Sequence, residues 1–401
     1  MRAVFIKGRS QYDATRLFTD ELAAAFIRKG HEAVVIDALE EDDFGTTAAR
    51  EAAAGADLIH TIGCLGDLRD SLGRSLGEMV RAPHVLQHVD YPLSHLNQLV
   101  QTSPLTAVLT VDASHVEAVT STFGPDHFAH VAFCPHAAVG APIEGDEDAE
   151  RFADGRGIPI LFSGSYYPPG APGWQDEGAG IRAIFDAAME ILLAAEFVPA
   201  LEAMDQALRG FGQDPMDPRF ELMRKYSGWL HEQVRRTRRQ ALFDAAGKAG
   251  LPIYFVGSGY EGHIERYPTF KLAGPVNLSD ALQLMRRARA VLNVNANFGR
   301  GSHERPLTAM LAGAAVASDH SGWWAEQFVE GEDILFYRWT DLDAGLSRLA
   351  ALADDPETAW RMARSAKAKA LGGHRFDHRV DTIISAADRA RARHPEAFAR
   401  S

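Results

Sequence analysis

The densest concentration of chemistry-bearing side chains lies between Asn293 and Pro306, where the chain reads Asn-Val-Asn-Ala-Asn-Phe-Gly-Arg-Gly-Ser-His-Glu-Arg-Pro. Pro306 suits the first turn of a helix, because the amide it lacks has no intrahelical partner there. A helix that starts here presents unpaired N–H donors and the positive end of its dipole, a ready site for an anion. Arg300 and Arg305 add planar guanidinium forks that match a diphosphate, and Ser302 and His303 add neutral polar groups. Glu304 and Thr308 stand four residues apart, on one helical face, so a carboxylate and a hydroxyl can together take the hydroxyls of a ribose. An ordinary capped helix with surface charges explains Ser302 and Pro306 but not the whole cluster. Two further segments, Phe162-Ser163-Gly164-Ser165-Tyr166 and Phe255-Val256-Gly257-Ser258-Gly259-Tyr260, are strand-to-turn transitions built from small residues. Gly164, Ser165, Gly257 and Ser258 would let backbone N–H groups approach the same anion.

A second set of candidates belongs to the first half of the chain. Lys7-Gly8-Arg9-Ser10-Gln11-Tyr12-Asp13 is a polar loop opening a helix, in which Ser10 or Asp13 serves equally well as a helix cap or as a catalytic group. It lacks G-x-G-x-x-G, which disfavours a nicotinamide dinucleotide. His88 and Asp90 are two residues apart near the end of a strand and together suit general acid–base work. Asp112 fits a cap as well as a ligand, and His136 is a weaker candidate near the end of the first domain.

These residues need rigid elements to hold them. Short apolar runs at Ala3 to Ile6, Ala33 to Ile36, Leu58 to Ile62, Pro83 to Val89, Ala107 to Val111 and Phe128 to Phe133 alternate with helical patterns, as a parallel sheet with crossover helices requires. A second series runs through Ile158 to Ser163, Pro252 to Val256, Ala290 to Val294 and Ala314 to Ser318. The expected architecture is α/β, with an N-terminal Rossmann-like domain over 1–143, an acidic linker over 144–157 and a C-terminal Rossmann-like domain over 158–375. A helical insertion of about 180–249 interrupts the second domain. A final helical segment over 376–401, with little apolar surface, would pack at the domain junction. The run Arg235-Arg236-Thr237-Arg238-Arg239 reads first as a solvated helix face and second as a grip for an anionic acceptor.

Composition narrows the function classes. The chain has 401 residues, 46% hydrophobic and 24% charged, the profile of two or three folded domains. A net charge of -13 repels phosphate backbones and disfavours a nucleic-acid partner. Cys64 and Cys134 form no disulfide framework and no zinc spacing. The N-terminal apolar run is too short for a signal peptide, and no apolar stretch suits a membrane span, so a cytoplasmic protein is expected.

Continued through Pro306 to Asp319, the cluster resembles the nucleotide-sugar motif of GT-B glycosyltransferases. The shared features are a strand and loop, a helix ending in Ala309-Met310-Leu311-Ala312-Gly313, a strand, and the later phrase Gly331-Glu332-Asp333-Ile334-Leu335-Phe336. Val89-Asp90-Tyr91-Pro92, Leu161-Phe162-Ser163-Gly164-Ser165 and Glu304-Arg305-Pro306 are similar to the spore-maturation-protein-like (CgeB-like) branch. The resemblance implies two Rossmann-like domains facing across a cleft and hexosyl transfer from a nucleoside-diphosphate sugar, a UDP-sugar foremost. In that reading Arg300, Ser302, His303, Glu304, Arg305, Thr308, Gly164, Ser165, Gly257 and Ser258 bind the donor. Asp13, Asp90 and His88 then contact the sugar or deprotonate an acceptor of unspecified class. No metal or other cofactor is required, since arginine and a helix dipole can neutralise the leaving diphosphate. The chain departs from the pattern at the two glutamates that many retaining members carry eight residues apart, which are Arg300 and Thr308 here. A nucleotide-sugar epimerase, a non-catalytic nucleotide-sugar-binding scaffold and a DNA-modifying transferase are the competing readings.

Overall fold

The structure is a computed structural model that describes residues 1–40, 44–63, 73–142, 144, 147–295 and 297–399. Cys64, Gly145, Asp146 and Ala296 therefore lie outside the described residues. The chain divides into two compact units, Met1–Ala137 with Arg375–Ser401, and Ala138–His374.

The first unit is a six-stranded parallel sheet of β1 (Arg2–Lys7), β2 (Glu32–Asp37), β3 (Leu58–Ile62), β4 (His84–His88), β5 (Ala107–Thr110) and β6 (His130–Phe133), in the order β2-β1-β3-β4-β5-β6. Its central strands are continuous buried runs, as expected for strands covered on both faces. The helix Ala14–Arg28 buries Phe18, Leu22 and Phe26. Phe26 meets Phe5 edge-on at 5.1 Å.

The helix Val380–Arg393 belongs to the first unit and packs on β4, β5 and β6. Its buried face is Val380, Ile383, Ala386, Ala387 and Ala390. Three alanines at helical spacing make a narrow stripe that allows close approach to a sheet, so this apolar face is easily underrated. Arg28 pairs with Asp377 at 2.7 Å, and Arg391 donates to the Asp57 carbonyl at 2.7 Å.

The second unit is also a six-stranded parallel sheet, of β7 (Ile158–Ser163), β8 (Ile253–Val256), β9 (Lys271–Leu272), β10 (Ala288–Leu292), β11 (Ala315–Asp319) and β12 (Leu335–Tyr337). The order is β12-β11-β10-β7-β8-β9. Strands β9 and β12 are too short to show a period and were not expected. Phe243 stands edge-on to Phe162 at 4.9 Å and to Phe255 at 5.0 Å in the core. The segment expected as linker is anchored in this unit: Asp148 caps the helix Ala149–Gly155, and Phe152 and Arg156 are fully buried. Arg156 donates to the carbonyls of Ala288 at 2.8 Å and Ala312 at 2.9 Å. The units therefore divide between Ala137 and Ala138 rather than after residue 143.

The insertion is helical, with Ala179–Ala194, Ala200–Gly210, Glu221–Lys225 and the 22-residue Ser227–Lys248. From β7 the chain builds outward through β8 and β9 on one side, then returns to build β10, β11 and β12 on the other. That reversal places a switch point between β7 and β10, beyond whose carboxyl ends ligands bind in open α/β sheets.

Candidate functional site

The turns after β7 and β8 lock onto each other. Gly164 N–H donates to the Val256 carbonyl and Tyr166 N–H to the Ser258 carbonyl, both at 2.8 Å. Gly257 N–H donates to the Gly274 carbonyl at 3.0 Å, and the Ser165 and Ser258 hydroxyls lie 3.4 Å apart. Gly164 has φ 151° and Gly257 φ 139°, and a Cβ on Gly257 would overlap the Gly164 carbonyl. These glycines thus permit backbone-on-backbone packing. The amides of Gly164, Tyr166 and Gly257 already have carbonyl partners, so of the four small residues expected to offer amides to an anion Gly164 and Gly257 are engaged within the fold.

The loop after β10 is organised by two asparagines. Asn295 donates to the Phe298 carbonyl at 2.5 Å, accepts from His303 N–H at 3.0 Å, and its own N–H meets Asp319 at 2.6 Å. Burial pushes the Asp319 carboxyl up to about 6, against the Asn295 amide and Arg238, which favour its charged form. Asn293 donates to the Ser318 hydroxyl at 3.0 Å and accepts from Arg305 Nη1 at 3.1 Å. Arg305, in the first turn of the helix Glu304–Leu311, is thereby aimed at the switch point. A Cβ on Gly164 would lie 3.1 Å from Arg305 Nη2. The helix begins as Pro306 predicted, with His303 as its N-cap. His303 Nδ1 is 2.5 Å from Glu304 Oε2 and 3.4 Å from Arg305 N, so the Glu304 carboxylate is its nearer partner.

The remaining members of the cluster fall in different places. Ser302 is fully buried and its hydroxyl has no partner. Arg300 is exposed, away from the buried part of the cluster. Thr308 is buried, and its hydroxyl oxygen accepts from Val139 N–H at 3.1 Å, which fastens the start of the second unit to this helix. Asp333, from the Gly-Glu-Asp phrase, is a structural staple that accepts from Val329 N–H at 2.7 Å and Ser365 at 2.6 Å and pairs with Lys369.

The arginine run corrects the reading of a solvated face. Arg238 and Arg239 are 4% and 7% exposed. Arg238 donates to Asn297 Oδ1 at 2.9 Å and to the Leu192 and Ala195 carbonyls at 2.8 and 2.6 Å. Arg239 donates to the Ser165 carbonyl at 2.5 Å and lies over the Phe162 ring at 5.6 Å, the ring that Arg305 also covers at 5.8 Å. The sequence held a signal for this. Arg238 falls four residues from both Val234 and Leu242, and Arg239 four from Phe243, so both lie in the buried stripe of the helix.

In the first unit the structure brings His88, Asp90 and His95 together and leaves Asp13 apart. His95 Nε2 is 3.6 Å from Asp90 Oδ2, and its ring stacks on His88 at 6.3 Å. His88 is sealed from solvent, its Nε2 has no partner, and burial pushes its pKa down to about 3. His88 is thus held away from solvent, whereas Asp90 is exposed. Asp13 is exposed, has left-handed φ 56°, and lies 3.5 Å from Arg16. Ser10 takes the capping role, accepting from Thr15 N–H at 2.9 Å. Asp112 caps its helix through Ser114 N–H at 2.8 Å, and His136 is buried against Phe18. Among the described residues no three metal-binding side chains converge, and no helix is long and apolar enough to cross a membrane.

Residues 235–385, which include Arg239, Asn293, Arg305 and Asp319, match the family model described as glycosyl transferase-like. Solved structures share the fold of this chain over nearly its whole length. HepE of Anabaena in complex with UDP and glucose is 13% identical with a TM-score of 0.51, over 96% of this chain and 98% of that one. Sucrose-phosphate synthase from Thermosynechococcus elongatus is 11% identical with a TM-score of 0.54, over 98% and 99%. An alpha-glucosyltransferase in complex with UDP and a 13-mer DNA is 10% identical with a TM-score of 0.53, over 97% and 99%. No curated protein matches by sequence. The two Rossmann-like sheets of this chain are those of the GT-B fold.

Proposed function

We propose that this protein transfers a hexosyl group from a nucleoside-diphosphate sugar, foremost a UDP-sugar, to an acceptor hydroxyl. The observation that carries this reading is Arg305, fixed by Asn293 at the β7/β10 switch point and set on the first turn of the helix Glu304–Leu311. In the reaction the bond between the anomeric carbon and the diphosphate oxygen breaks, and the diphosphate leaves with the electron pair. The acceptor oxygen bonds to the anomeric carbon and gives up its proton. Arg305 and the helix terminus stabilise the charge that develops on the leaving group. The His303–Glu304 pair is the polar group left for the nucleotide ribose once Thr308 is bound to Val139. In the first unit Asp90, beside His95, is the carboxylate we assign to the acceptor proton, with Asp13 contacting the sugar or acceptor.

The glycosyl transferase-like family match and a fold shared with HepE, whose structure holds UDP and glucose, support a UDP-sugar donor. The acceptor is a hydroxyl on a protein, a glycan or a small molecule. One structural neighbour was solved with DNA, but the net charge of -13 weighs against a phosphate-backbone partner, and a steep salt-dependent affinity for duplex DNA would reverse that. We place the reaction in the cytoplasm, in keeping with a buried free Cys134 whose thiol is pushed up to about 11 by burial.

The test is incubation with UDP-hexoses and an acceptor panel, following UDP release and products. Glycoside formation supports transfer. Epimerised donor without glycoside would replace it with an epimerase, and saturable binding without turnover with a scaffold.

A further inference from the structure

Arg238 and Arg239 are consecutive, both more than nine-tenths buried, and carried on the same insertion helix, yet their surroundings differ. Arg238 sits in the field of two carboxylates, Asp319 and Glu196, which partly offset the effect of its burial. Arg239 has no carboxylate within ion-pair distance among the described residues. After burial, the groups that weigh on it are Arg235, Tyr260, Arg305 and Tyr337, two of them cations and two tyrosines. Among the described residues its Nε, like that of Arg238, has no partner, and its hydrogen bond is to the Ser165 carbonyl. Arg305 likewise has no carboxylate hydrogen bond, since Glu304 is engaged by His303, and both guanidiniums lie over the single ring of Phe162. Arg235, one turn before Arg239, is paired with Glu232 at 2.7 Å.

A buried cation without an anion is costly unless the anion arrives from outside. The two arginines also grip different walls of the switch point: Arg239 holds Ser165 after β7, and Arg238 holds Asn297 after β10. We propose that Arg239 is the second cation of the donor's diphosphate seat, so that the missing counter-ion is the ligand and the insertion helix is a working part of the donor site. Arg239 acts on the diphosphate through its own charge, and on the wall after β7 through its hold on Ser165. The inference rests on the glycosyl-transfer reading but predicts more, because Arg305 alone would suffice for that reading.

Calorimetric titration with inorganic pyrophosphate, UDP and uridine, and thermal melting without ligand, test it on the wild type, Arg239→Gln, Arg239→Lys and Arg238→Gln. Arg239→Gln should weaken pyrophosphate and UDP roughly 10- to 100-fold, leave uridine unchanged, and leave the unliganded melting temperature unchanged or higher, because an uncompensated buried charge is gone. Arg239→Lys keeps the charge without the fork and should recover part of that loss. Arg238→Gln should melt lower, having left Asn297 Oδ1 and the Leu192 and Ala195 carbonyls without their donor. If Arg239→Gln and Arg239→Lys bind pyrophosphate as tightly as wild type, the inference is overturned while glycosyl transfer stands. A lower melting temperature in both Arg239 variants, with uridine affinity falling in parallel, would make Arg239 a purely structural residue and overturn it equally. A wild type that binds neither UDP nor pyrophosphate overturns both readings.

Discussion

The molecule contains two parallel six-stranded sheets that solve the same topological problem with opposite chemistry. In the second unit the switch point between β7 and β10 is held by amide and glycine geometry and faced by guanidiniums, Arg305 in front and Arg239 behind. In the first unit the reversal falls between β1 and β3, and the loops beyond its strands carry Asp13, Asp90 and His95 over a bed of buried neutral histidines. A site for a charged group of known shape is built from fixed donors, whereas a site for a neutral hydroxyl needs only an accessible base. That difference explains why the first is legible in detail and the second only in outline.

The largest expected effect breaks the cationic side. Arg305→Ala should lower turnover by about 100-fold or more while the protein still folds, as judged by an unchanged far-ultraviolet spectrum and melting curve. Normal turnover would remove Arg305 from the site. On the other side, Asp90→Asn should lower turnover about 100-fold with donor affinity unchanged in calorimetry. Equal losses of affinity and turnover would move Asp90 to donor binding.

Next come two stability effects that separate the units. Gly257→Ala forces a Cβ at φ 139° into the Gly164 carbonyl and should cost about 3 kcal/mol in urea unfolding. A loss below about 0.5 kcal/mol would mean that the two turns are not interlocked. On acidification the units should diverge. His60, His84 and His88, all in the first unit, are held by burial at about 3, 4 and 3. Their folded-state values lie below the ordinary 6.5, so the unfolded chain binds protons first, and stability is lost as pH falls below about 6.5. The loss is about 2 kcal/mol per group at pH 5. Asp319 in the second unit is raised to about 6, so its folded form takes the proton first and the second unit regains about 1 kcal/mol over the same interval. His263 and His320 in the second unit are lowered by burial as well, so hydrogen exchange at pH 7 and pH 5 should show opening that accelerates more in the first unit than in the second; equal acceleration in both would contradict these burial patterns.

The smallest effect concerns Thr308. Thr308→Val loses the hydrogen bond from Val139 N–H and should cost about 1 kcal/mol without changing UDP affinity. A weakened affinity would restore Thr308 as a ribose ligand.

What the sequence disclosed follows the range of the interactions involved. Ten of the twelve strands announce themselves as apolar runs, and the helix start at Glu304 is written locally in His303 and Pro306. Strands β9 and β12, of two and three residues, exist only because neighbouring strands supply hydrogen-bond partners. The partner of Thr308 lies 169 residues away and the anchor of Arg239 lies 74 away, distances over which no spacing rule operates. Glycine makes the same point: Gly164 and Gly257 are visible as small residues, but that a Cβ on Gly257 would strike the Gly164 carbonyl appears only when β7 and β8 pair, and that one on Gly164 would crowd Arg305 only when the helix Glu304–Leu311 is in place.

The central claim is that the second unit's switch point is a nucleoside-diphosphate site. Its most direct test is calorimetric titration of the full chain with UDP, GDP, dTDP, ADP and CMP, repeated on Arg305→Ala. The account predicts saturable one-to-one binding selective for one nucleoside diphosphate, UDP foremost, and lost in the variant. Absence of binding by every nucleotide, or binding that Arg305→Ala leaves intact, would contradict it.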